Sequence, residues 1–80
     1  MTEAEALATL TAICRSVLDD DEIEVSESTV AQEVEGWDSI SHVQILVSIE
    51  EELGVRFSTG ESANMKNVGD MVRKIVEKTT

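Results

Sequence analysis

Apolar residues return along this chain at helical intervals in three places. Leu7, Leu10, Cys14, Val17 and Leu18 recur at such spacing, with Ile13 close to the same face. Thr2 followed by Glu5 has the form of a capping box, so a helix opens there and runs to about Leu18. A second helix starts at Asp38 or Ser39 and ends at Leu53, because Asp38 is a good N-cap residue and Gly54 sits where a C-terminal glycine belongs. Its residues Ile45, Leu46, Ile49 and Leu53 form one apolar stripe, and Ile40, Val43 and Val47 form another beside it. A surface helix usually keeps a single stripe. The surplus predicts a docking surface. Val68, Met71, Val72, Ile75 and Val76 mark the buried side of a last helix, opened by Asn67 with Asp70 and closed near Lys74 and Lys78, which suit a C-terminal end.

The segments between are of two kinds. Asp19-Asp20-Asp21-Glu22 ends the first pattern, and residues 19–38 form a long connection with apolar anchors at Ile23, Val25, Val30 and Val34. Twenty residues is long for a structureless loop, so these anchors should pin it across the helices. After the second helix, Val55-Arg56-Phe57 reads as an extended link, and Ser58 with Glu61 as a capping box opening a short helix near residues 60–65. The expected fold is all-α: one domain over residues 1–80, a small four-helix bundle with a long first loop and a short third helix.

Composition narrows the function. Eighty residues bury only about 60% of their unfolded surface, so a deep catalytic cleft is hard to build. Seventeen acids stand against six Lys and Arg, a net charge of −11. Such a surface repels the phosphates of nucleic acids and anionic membranes, and attracts basic protein partners. The same charge also keeps a small protein soluble and, as expected here, monomeric. Cys14 is the only cysteine, so neither an internal disulfide nor a cysteine metal cluster is expected, and it reads as a small core hydrophobe. No apolar stretch approaches the roughly 18–20 residues that span a bilayer. The N-terminal Met1-Thr2-Glu3-Ala4-Glu5 is acidic and unlike a signal peptide, which makes the cytoplasm the expected location.

The candidate chemistry lies at Glu35-Gly36-Trp37-Asp38-Ser39-Ile40. Gly36 permits a tight approach, Asp38 supplies a carboxylate, and Ser39 places a hydroxyl at a helix mouth, where the N-terminus favours an incoming phosphate. Ser39, His42 and Asp38 do not make a credible hydrolytic triad: all three lie at one helix start, without a Gly-x-Ser-x-Gly elbow. His42 reads instead as a solvated helix histidine. An EF-hand loop begun at Asp19 lacks an oxygen ligand at Ile23, a glycine at Glu24 and an acid at Val30, so no metal site is expected. Trp37 either packs into the bundle or flanks whatever Ser39 carries.

Gly36-Trp37-Asp38-Ser39-Ile40, followed thirteen residues later by Leu53-Gly54 through Glu50-Glu51-Glu52, resembles the attachment region of acyl carrier proteins. The resemblance covers nearly the whole chain and is strongest to free-standing carriers of polyketide or other specialised pathways. It implies that Ser39 carries 4′-phosphopantetheine, placed there from coenzyme A by a phosphopantetheinyl transferase, and that Asp38 orients this magnesium-dependent transfer. It further implies a non-enzymatic carrier that delivers a thioester-bound acyl group to acyl-loading and acyl-processing enzymes with basic docking surfaces. Ile40, Val43, Val47, Glu50 and Glu51 are then the recognition residues. Ile40 replaces the family's usual Leu, and Gln44 stands where fatty-acid carriers place an acid, which argues against a housekeeping fatty-acid role. The alternatives are an aminoacyl or peptidyl carrier, which shares the attached serine, and an acidic helical adaptor with Ser39 unmodified.

Overall fold

The computed structural model describes residues 1–79. Four helices follow one another: α1 (Glu3–Val17), α2 (Ser39–Leu53), α3 (Thr59–Ala63) and α4 (Val68–Thr79), with a 3₁₀ turn (Ala31–Glu33) inside the long first connection. α1 lies against both α2 and α4.

Local chemistry starts and stops these helices where the sequence signals stand. Thr2 Oγ1 accepts from the Glu5 amide at 3.1 Å, and Glu5 Oε1 accepts from the Thr2 amide at 2.8 Å. Ser58 and Glu61 repeat the arrangement at α3, at 3.1 and 2.9 Å. Asn67 Oδ1 accepts from the Asp70 amide at 2.9 Å ahead of α4. Each box satisfies amides that a helix start leaves without partners. Gly54 ends α2 in the left-handed region (φ 68°), so the Val55 amide folds back onto the Glu50 carbonyl at 3.2 Å.

The core is aliphatic, as a chain with one Trp and one Phe requires. Leu10, Cys14, Ile45, Ile49, Val72 and Ile75 are fully buried, and Ala6, Ile13, Leu46, Val68 and Met71 nearly or wholly so. The α1 face is turned slightly from the predicted one. Ala6 and Ile13 are inside, whereas Leu7, Val17 and Leu18 are half-buried at its margin. The inward set is therefore Ala6, Leu10, Ile13 and Cys14, spaced i, i+4, i+7 and i+8. Leu53 likewise lies at the edge of the α2 stripe.

The long connection is strapped down by its backbone as well as by its side chains. Val25 and Val34 are half-buried and pack on the core as expected, joined by Ala31 and Trp37, while Ile23 and Val30, equally half-buried, are not among the side chains packed on it. Arg15 Nε donates to the Ile23 carbonyl at 2.7 Å, which ties the strap to α1. At its other end the first two amides of α4, Val68 and Gly69, donate to the carbonyls of Thr29 and Glu27, both at 2.8 Å. Two orphan N–H groups of α4 thus find partners in a loop some forty residues earlier. At the end of α1, Asp19 takes a left-handed conformation (φ 52°) and Asp20 Oδ1 accepts from the Glu22 amide at 3.0 Å, so this acidic run forms a turn.

Candidate functional site

The strap delivers Ser39 to the surface through a tight turn. Gly36 adopts φ 88°, a conformation that L side chains resist, and the Trp37 amide donates to the Val34 carbonyl at 3.2 Å. Asp38 then stands in extended geometry as the N-cap of α2, its Oδ1 accepting from the Ser41 amide at 2.8 Å. That N–H holds the Asp38 carboxyl below the usual carboxylate range. Asp38 is therefore ionised at neutral pH and fixed beside the first helical residue, which is Ser39. Ser39 is exposed, and among the described residues no hydrogen bond engages its hydroxyl.

An open groove of about 550 Å³ begins at this serine. Its walls come from three elements: Ala31 and Gln32 of the 3₁₀ turn, Trp37, Asp38, Ser39, His42 and Val43 around the start of α2, and Thr59, Ser62 and Ala63 of α3. α3 is held as the far wall by Glu61, which pairs with Lys78 at 3.1 Å and Lys74 at 3.4 Å on α4. The Ser58 amide and these two cations lower the Glu61 pKa to about 2.

Trp37 answers both of its predicted descriptions, being 8% exposed and lining the groove. Its indole Nε1 donates to His42 Nδ1 at 3.1 Å, and the two rings stack with centroids 6.1 Å apart. His42 is consequently not the solvated histidine expected from the sequence. It is half-buried, and burial pulls its pKa below the ordinary 6.5. With Asp38 committed to Ser41 and His42 Nδ1 to Trp37, no acid–histidine–serine relay is assembled. The Trp37–His42 pair was missed in the sequence, although a tryptophan needing an acceptor five residues before the only histidine was a usable signal.

The surplus stripe of α2 lies outside. Ile40, Val43 and Val47 are 71%, 58% and 43% exposed, while Ile45 and Ile49 on the opposite side are wholly buried. Glu51 is exposed beyond the stripe. Glu50 differs: it is half-buried, and its Oε2 accepts from the Phe57 amide at 2.8 Å, bracing the link after α2. Cys14 is deep in the core, and burial pushes its thiol pKa up to about 11.

Residues 8–75 match the family described as a phosphopantetheine attachment site. This chain belongs to that family. In three dimensions it superposes on the holo acyl carrier protein from Geobacter metallireducens with a TM-score of 0.86 and 40% sequence identity, covering 91% of this chain and 84% of that one. The fold is thus that of a phosphopantetheine-bearing acyl carrier, and the adaptor alternative is not favoured. No helix among the described residues is long and apolar enough to cross a membrane.

Proposed function

We propose that Ser39 is the attachment residue and that the chain ferries thioester-linked acyl groups between partner enzymes without catalysing their chemistry. The observation that carries this reading is the exposed, unengaged Ser39 hydroxyl at the first position of α2, next to an ionised cap and at the mouth of a groove. The surroundings suit 4′-phosphopantetheine. The α2 N-terminus favours a phosphodiester, Thr59, Ser62 and Gln32 offer polar partners to amides, and Trp37, Val43 and Ala63 offer apolar contact. In the transfer from coenzyme A, the Ser39 oxygen loses its proton and forms the new P–O bond as adenosine bisphosphate leaves. Asp38, held by the Ser41 amide, would orient the Ser39 hydroxyl for this magnesium-dependent step. Once attached, the group supplies a terminal thiol for thioester formation.

Ile40, Val43 and Val47 supply the apolar contact for partners, with Glu51 and the general negative charge steering basic docking surfaces toward Ser39. Glu50 adds charge to this face while its carboxylate braces the Phe57 link. A monomeric cytoplasmic carrier of a polyketide or other specialised pathway fits this surface, with Gln44 in place of an acid; an aminoacyl cargo would use the same serine.

Incubation with coenzyme A, magnesium and a promiscuous phosphopantetheinyl transferase tests the assignment. The intact mass should rise by one phosphopantetheine, and Ser39→Ala should abolish the rise with helicity unchanged. Modification at another residue, or none with several transferases, overturns it.

A further inference from the structure

The Trp37–His42 pair has a chemical consequence for whatever Ser39 carries. An imidazole nitrogen that accepts a hydrogen bond bears no proton, so the 3.1 Å bond from Trp37 Nε1 leaves neutral His42 with its proton on Nε2. The stacked indole also restrains the ring plane. His42 stands three residues after Ser39 on α2, so their side chains are neighbours, with Cβ atoms about 5–6 Å apart in such a pair. Both residues line the same groove.

We propose that His42 is a positioning residue for the attached arm: Trp37 fixes its tautomer, and its Nε2–H donates to a phosphodiester oxygen on Ser39. This rests on the assignment of Ser39 as the attachment residue. His42 then anchors the arm at its root and directs it along the groove between α2 and α3. The other groups lining the groove bring no cation to the phosphodiester. Gln32 from the 3₁₀ turn and Thr59 and Ser62 from α3 are uncharged, and Asp38, the one ionised residue among the described residues lining the groove, is engaged by the Ser41 amide. A phosphodiester favours the imidazolium, whereas burial and the Trp37 N–H favour the neutral ring. The arm and the indole therefore pull the His42 titration in opposite directions.

Phosphorus NMR of the holo protein reads this contact directly. A phosphodiester does not ionise between pH 5 and 8, and His42 is the only histidine in the chain. The holo phosphorus resonance should nevertheless titrate in that window, with the midpoint of the His42 ring protons. That midpoint should lie higher in holo than in apo protein, and higher in holo Trp37→Phe than in holo wild type. His42→Phe should flatten the phosphorus titration. His42→Gln, which keeps an N–H donor at the side-chain tip, should hold the resonance nearer the wild-type position than His42→Phe does. A flat phosphorus titration in wild-type protein whose mass confirms the arm on Ser39, or one that survives His42→Phe, overturns the positioning role alone. A protein that takes no arm on Ser39 overturns the carrier assignment as well.

Discussion

The Gly69 amide donates to the Glu27 carbonyl at 2.8 Å, and this contact leaves no room between α4 and the strap. A Cβ built on Gly69 would stand 2.8 Å from that same carbonyl oxygen. Two effects oppose each other when Gly69 becomes Ala. Helix propensity favours alanine by about 1 kcal/mol. The backbone clash acts the other way, and overpacking of this kind costs about 1–3 kcal/mol. The clash should win, because a carbonyl held on a strap cannot swing aside as a side-chain tip can. Gly69→Ala should lower the denaturant midpoint and speed amide exchange at Val68 and Gly69.

Ile49 and Val47 lie on opposite sides of α2, wholly buried and 43% exposed. Ile49→Ala should cost about 2–5 kcal/mol, much of the stability of so small a domain. Val47→Ala should change stability by less than about 0.5 kcal/mol. Urea titrations of the two variants measure the contrast, and equal losses would mean that α2 is rotated from the orientation described.

On the docking face proposed for α2, steering and holding can be separated. Glu51 is the cleaner probe of steering, because reversing Glu50 would also break its bond to Phe57. Glu51→Lys should slow association with a basic partner by roughly two- to tenfold at low salt and flatten the salt dependence. Val47→Asp should instead raise the KM for the transferase with little change in its salt dependence. Stopped-flow association and steady-state kinetics at two ionic strengths separate the effects.

Acid should loosen the groove at a predictable pH. The folded pKa of Glu61, about 2, lies below its ordinary 4.5, so its contribution is complete above the ordinary value. It is lost as pH falls from there through the folded value. Glu61→Gln removes the charge of both ion pairs and the titration itself, and should make stability less sensitive to pH between about 5 and 2, as read by thermal melts across that range. The Ser62 and Asn64 amides, bonded to the Ser58 and Gly60 carbonyls, should exchange faster in the variant at neutral pH.

What the sequence made legible was local. Thr2 with Glu5, Ser58 with Glu61, Asp38 and Gly54 are caps whose partners lie within four residues, and each stands at the helix end its residue type indicated. The two stripes of α2 were legible too, since a helix fixes which residues share a face. The rest depended on contacts without a period. Nothing in the spacing of residues 19–38 says that Glu27 and Thr29 offer carbonyls to α4, because any residue type can lend a carbonyl. Glu50 looked like its neighbours Glu51 and Glu52 until the chain reversed and brought the Phe57 amide to it. Ile13 and Ala6 moved inward because two neighbouring helices, not one, press on α1.

The burial of Cys14 gives the carrier an unambiguous sulfur chemistry. Within this sequence it is the only thiol, it lies wholly out of solvent, and its pKa near 11 leaves almost no thiolate at neutral pH. An activated acyl donor meeting the folded protein therefore finds no competing nucleophile of this kind in the polypeptide. Charging is confined to the thiol that arrives with the arm, and a thiol-titrating dye should count the uncharged arms against a silent background, its signal falling as acyl groups are loaded.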